Sequence, residues 1–180
     1  MLDTSPTPVR EALRRLSSEN GVMLAPNRRI VVPNLTPERF SELILLRVNL
    51  ETHAALRALP HISDVMIDEL AETDRRLDAA IGKGDRDAQI LENHRFHRGL
   101  YCANPNPVAL PMIESIWLQL GPFNRIAARH VKELYTVDRH AEALAALRAR
   151  NPDALANAIE ADIRDAVGGL SKKALKAILG

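Results

Sequence analysis

Apolar residues recur in steps of three and four along almost the whole chain after Thr36, the period of helices with one buried face. Thr36 followed by Pro37 is a helix start, and the stripe Leu43, Arg47, Leu50 and Ala54 carries that helix to about Leu59. A second helix is predicted from about Ser63 to Ile81, with Ile67, Leu70 and Leu77 inward and Gly82-Lys83-Gly84 as its stop. A third, about Asp87 to Ala103, has the stripe Ile90, Asn93, His97 and Leu100, and Asn104-Pro105-Asn106-Pro107 breaks it. The fourth, about Val108 to Ala128, carries Ile113, Ile116, Trp117 and Leu120, with a bend expected at Gly121-Pro122. The fifth spans about Thr136 to Arg150, with the stripe Val137, His140, Leu144 and Leu147. The sixth runs from about Asp153 to Leu170, with Leu155, Ile159, Asp162 and Ala166, and a short last helix follows Gly168-Gly169. Short connections between such helices predict an all-α antiparallel bundle for residues 35–180.

The first 34 residues read differently. Thr7 is the expected N-cap and Pro8 the first position of a short helix ended by Asn20-Gly21. Val9, Leu13 and Leu16 form its apolar stripe; Arg10, Arg14 and Ser17 form a polar one. Two β-prone runs, Val22 to Ala25 and Ile30 to Val32, flank Pro26-Asn27-Arg28-Arg29 and predict a small hairpin with a basic tip. Such a helix and hairpin suit either a DNA surface, with the helix in the major groove, or an ordinary solvated face.

Several predicted core stripes contain polar side chains, which must find partners when buried. Asn93 and His97 lie one turn apart; His140 and Asp162 sit inside the stripes of two later helices. Singly, each is explained by a hydrogen-bonded core. Together they offer two imidazoles, a carboxylate and an amide oxygen, a donor set for zinc, nickel, manganese or iron(II) with positions left open. A divalent cation would also offset the cost of a buried aspartate. Arg47 adds a guanidinium whose best match is a planar carboxylate. That carboxylate is either a small organic acid shared with the metal or an internal partner, Asp162 or Glu51. His53, His61, His94 and His130 fall off these stripes and read as surface or structural.

Composition narrows the classes. The net charge of +1 gives no strong basic field, but residues 1–34 hold five arginines against three acids. Aromatics at 3% disfavour a base-stacking surface. The single Cys102 suits a reducing compartment, and no long uncharged apolar run predicts a membrane span, so a cytoplasmic protein is expected. There is no Glu-x-x-His pair for a di-iron bundle, no nucleophile elbow, no P-loop and no dinucleotide fingerprint.

Thr-Pro-Val-Arg-Glu-Ala-Leu-Arg-Arg-Leu (Thr7 to Leu16), Gly21-Val22 and Pro26-Asn27-Arg28 resemble the end of the winged helix-turn-helix of GntR-type bacterial transcription factors. Leu46-Arg47, Leu50-Glu51, Phe96-His97, Asn106-Pro107 and His140 resemble the FCD domain of their FadR-like branch. The resemblance implies a partial reader head in residues 1–34 and an effector-binding helical domain in 35–180. In the head, Ser5, Thr7, Arg10, Arg14, Arg28 and Arg29 are the residues expected to face operator DNA. The sequence departs from the pattern in three ways. The family's two helices before the recognition helix lie outside these residues, Pro6 stands where an arginine is usual, and Arg29 stands where the wing usually has glycine. In the FCD domain, Asn93 stands at the usual acid and Asp162 at the usual last histidine, so the set keeps one carboxylate and loses one imidazole.

The expectation is a non-enzymatic, homodimeric transcriptional regulator. Its helical domain binds a divalent metal through Asn93, His97, His140 and Asp162, and a small carboxylate effector through Arg47. The alternatives are an iron-dependent oxygenase-type enzyme, or a sensor remnant that binds ligand but no longer binds DNA.

Overall fold

The computed structural model describes residues 5–27, 29–127 and 137–168. Helix α1 spans Pro6–Ser18 and is followed by strands β1 (Met23–Leu24) and β2 (Ile30–Val31). These pair antiparallel, Met23 opposite Val31 and Leu24 opposite Ile30. Six more described helices follow: α2 (Pro37–Ala58), α3 (Asp64–Lys83), α4 (Arg86–Cys102), α5 (Leu110–Ala127), α6 (Arg139–Arg148) and α7 (Pro152–Gly168). The class is all-α with a partial winged helix-turn-helix, as the periodicity and the resemblance imply.

Local chemistry sets the helix ends. The side chains of Thr36, Ser63, Asp85 and Asp138 each accept a backbone N–H from the first turn of the helix they precede. Gly84 ends α3 at a φ of 70°, where a side chain would be strained. Helix α1 starts earlier than expected. Pro6, not Pro8, takes the first helical position, and Ser5 is the extended residue before it, so Thr7 lies inside the helix rather than capping it. Pro122, where a bend is expected, sits within α5, which continues through it as one helix. The expected short helix after Gly168 and the histidine at 130 lie outside the described residues.

Helix α2 packs against α4, α5 and α7; α3 packs against α4 and α6; α6 packs against α7. One apolar cluster joins them, from Phe40 and Ile44 on α2 through Ile67, Phe96, Leu100 and Ile113 to Leu147, Leu155 and Ile163. No residue of α1 is fully buried. Its end rests on α5 instead, where Ser115 Oγ donates to the Glu19 carbonyl at 3.4 Å.

Candidate metal and effector site

Of the polar residues predicted to face inward, Arg47, His97, His140 and Asp162 are buried and Asn93 is half-buried, and three of them meet. His97 and His140 are almost wholly buried and Asp162 is 8% exposed. His97 Nε2 lies 3.1 Å from Asp162 Oδ2, and His140 Nε2 lies 3.4 Å from His97 Nε2 and 3.8 Å from Asp162 Oδ1. One donor atom from each residue falls within a common 4.8 Å. Ligand atoms around a tetrahedral zinc with bonds of about 2.0–2.1 Å stand about 3.3 Å apart, so this spacing fits a first-row divalent ion. Asn93 is half-buried one turn from His97 and lines the cavity that opens beside them.

The surroundings orient both imidazoles. The Tyr101 hydroxyl donates to Glu51 Oε2 at 2.9 Å, so its oxygen is available to accept from His97 Nδ1, 3.2 Å away. A metal in the cluster would therefore meet the lone pair of a neutral His97 on Nε2; without metal, that nitrogen is the one that hydrogen-bonds Asp162. His140 Nδ1 lies 2.8 Å from Asp74 Oδ1 and donates to it, which turns the His140 Nε2 lone pair the same way. Phe96 stacks on the His140 ring, with centroids 3.9 Å apart and planes within 8°. Two lone pairs and a carboxylate therefore converge on one point, an arrangement that invites a cation.

Electrostatics agree. Burial alone would raise the Asp162 carboxyl, but the hydrogen bond from His97 and the fields of His140 and Arg47 outweigh it and bring the pKa down to about 2. Burial would lower His140; its bond to Asp74 and the Asp162 charge prevail, and its pKa is raised.

Arg47 is buried, and its nearest partner is internal. Its Nε donates to Glu51 Oε1 at 2.6 Å and one terminal nitrogen reaches Oε2 at 3.5 Å. Glu51 is fully buried and also accepts from Trp117 Nε1 at 2.9 Å. Burial opposes its ionisation, yet Arg47, His97 and these hydrogen bonds hold its pKa below the ordinary value. Of the two internal partners foreseen for Arg47, Glu51 is the one it bonds. The other guanidinium terminus, Nη1, has no hydrogen-bond partner among the described residues, and Arg47 lines the same cavity as His97 and Asp162.

That cavity has a volume of about 440 Å³ and runs between α3, α4, α5 and α7. The chain's sequence matches the FCD domain over residues 42–165. It is 31% identical over 157 residues to the HTH-type transcriptional regulator McbR of Escherichia coli strain K12, covering 84% of this chain and 70% of that protein. The chain belongs to the GntR-type transcriptional regulators that carry an FCD domain. The solved structure of E. coli McbR/YncC superposes with a TM-score of 0.80 at 30% identity, covering 90% of this chain and 82% of that one. A GntR family member from Pseudomonas syringae pv. tomato str. DC3000, 21% identical, covers 98% of this chain and 72% of that one with a TM-score of 0.58, a likeness of fold.

Three residues of this FCD domain depart from the sequence reading. His94, read as surface or structural, is half-buried, lines the cavity and meets Trp117 edge-on with centroids 4.6 Å apart. Burial lowers its pKa. The cavity is wide enough for α4 to present Asn93 and His94 side by side, which a single-stripe reading hides. Asp74 was missed altogether, although it continues the inward stripe of Ile67, Leu70 and Leu77 at helical spacing. Val137, assigned to the stripe of His140, is exposed because it precedes α6.

The residues expected to face DNA are placed as follows. Ser5, Thr7, Arg10, Arg14 and Arg29 are all exposed, and Arg14 pairs loosely with Glu11 at 3.6 Å. Arg28 lies outside the described residues. No helix among the described residues is long and apolar enough to cross a membrane.

Proposed function

We propose that this regulator binds a divalent metal through His97, His140 and Asp162, with Asn93 beside it, and that the metal and Arg47 together hold a small carboxylate effector. The observation that carries this reading is the convergence of two imidazole Nε2 atoms and the Asp162 carboxylate, with the imidazoles oriented by Tyr101 and Asp74 outside the cluster. The metal supplies Lewis-acid affinity for one end of the acid. The unpartnered side of Arg47 supplies two further donors. Zinc, nickel, manganese and iron(II) all suit this donor set.

Effector binding then modulates operator binding by the head in residues 1–34, through Ser5, Thr7, Arg10, Arg14, Arg28 and Arg29. The exposure of the arginines on α1 supports this role. Two-fold operators favour a homodimer acting in the cytoplasm. The ligand acts by preferring one placement of the heads over another.

The test is elemental analysis of purified protein, followed by thermal unfolding with carboxylic acids before and after chelation. Stabilisation by an acid only when metal is present supports the reading; equal stabilisation after complete chelation refutes it. The donor set of two imidazoles and one carboxylate is also that of iron(II) oxygenases. Consumption of oxygen by the iron-loaded protein in the presence of an acid would favour that enzymatic reading. A gel-shift with and without the acid separates a working reader from a ligand-binding remnant.

A further inference from the structure

We propose that the effector is a monocarboxylate with an extended apolar body, an alkyl or aryl chain rather than a polyhydroxylated or polycarboxylic acid. This rests on the reading of His97, His140, Asp162 and Arg47 as the carboxylate pole. The charge of the cavity sets the number of carboxylates. Arg47 is the one lysine or arginine among the described lining residues, and Asp162 and Glu114 line it as acids. A second anionic group on the ligand would find no further lysine or arginine among the described lining residues and would meet Glu114, which is itself paired with Arg98 at 2.9 Å.

The walls set the body. Away from the carboxylate pole the lining is Leu77 and Ile81 from α3, Ile90 from α4, Trp117 and Leu118 from α5, and Ile163 from α7. A chain of hydroxyls against these side chains would lose its hydration without regaining hydrogen bonds. Gln89 offers a hydroxyl at most one acceptor: its amide nitrogen donates to the Ala80 carbonyl at 3.3 Å, while its Oε1 has no partner among the described residues.

Helix α4 sets the length. His97 marks the pole and Ile90 the far wall, seven residues earlier, which is about 10 Å along a helix. A volume of about 440 Å³ is far more than an acetate or lactate would fill.

The chain has one tryptophan, Trp117, and it lines the cavity, so its fluorescence reports occupancy. The experiment titrates the zinc-loaded chain with butyrate, pentanoate, hexanoate and octanoate, and with citrate, gluconate and octanol. Affinity should rise about threefold to fourfold for each added methylene. Ile90→Asp, with Ile81→Asn as a second variant should the first fail to fold, should flatten the series while leaving butyrate binding in place. Binding of butyrate with no dependence on chain length overturns this proposal and leaves the carboxylate pole intact. So does tighter binding of citrate or gluconate than of octanoate. Octanol binding as well as octanoate, or no binding by any acid, overturns both this proposal and the reading on which it rests.

Discussion

Gly21 lies flush against Leu118. A Cβ at Gly21 would stand 2.7 Å from Leu118 Cδ2 and 2.9 Å from its Cγ, closer than real Cβ contacts allow. Leu118 also lines the cavity, so one side chain touches both the end of the N-terminal helix segment and the effector space. Gly21→Ala must therefore push Leu118 inward or lift the segment off α5. The expected result is a loss of stability of about 1–3 kcal/mol, the usual cost of an added methylene in a packed contact. Cavity ligands should bind more weakly as well, because Leu118 is driven into their space. Thermal unfolding and the acid titration read the two effects separately.

Glu51 should be the costliest single position in the domain. Its carboxylate is buried among Arg47, Tyr101 and Trp117, each of which donates to it. Glu51→Gln replaces one acceptor oxygen with an NH2 that meets donors, and leaves the Arg47 charge uncompensated. Removing one partner of a buried pair costs about 3–5 kcal/mol. Urea denaturation should show a loss of that size; a loss under 1 kcal/mol (roughly a surface value) would mean that the network contributes little.

The pH dependence should change sign with metal. His140 has a raised pKa in the folded chain, and His97, Asp74, Asp138 and Asp162 act on it. A raised value stabilises the fold below the unfolded value and loses that contribution as pH rises through the folded one. Chelated protein should therefore melt lower at pH 8 than at pH 6. A metal takes the neutral imidazole, so metal-loaded protein should gain stability over the same range. At the acid end, Asp162 at about 2 stabilises above its unfolded value and loses that as pH falls from about 4 to about 2, on the order of 2 kcal/mol. Melting temperatures at pH 3, 6, 7 and 8 with chelator or with zinc check all three statements.

The site was legible where a polar residue interrupts an apolar helical stripe. His97, His140 and Asp162 were each found that way, because burying a polar group is costly enough to mark its position. Glu51 was visible only as one of two candidate partners for Arg47, since an i, i+4 pair can face core or solvent. Asp74 lies in a run of charged residues, Asp74-Arg75-Arg76, and that local polarity masks its inward spacing. His94 was misplaced because a cavity gives a helix two useful faces where a solid core gives one. The start of α1 was misjudged because two prolines, Pro6 and Pro8, both suit a first turn. Which partner a buried group chooses depends on how helices far apart in sequence come together, and no local pattern carries that.

Tyr101→Phe isolates the orienting role of the hydroxyl from the ligands themselves. Phe fills the same buried space, so the helices should stay intact and circular dichroism should be unchanged. The hydroxyl takes with it the acceptor 3.2 Å from His97 Nδ1, leaving that N–H unsatisfied in the interior. The ring then relieves the cost by moving its proton to Nε2, where it blocks the lone pair that faces His140 and Asp162. Loss of such an orienting partner typically weakens metal binding by about 10–100-fold. Competition against a chelator of known affinity should show that loss, whereas His97→Ala should abolish stoichiometric binding outright. If Tyr101→Phe holds metal as tightly as the parent chain, the metal alone sets the tautomer of His97, and the Tyr101 hydroxyl serves only as a donor to Glu51.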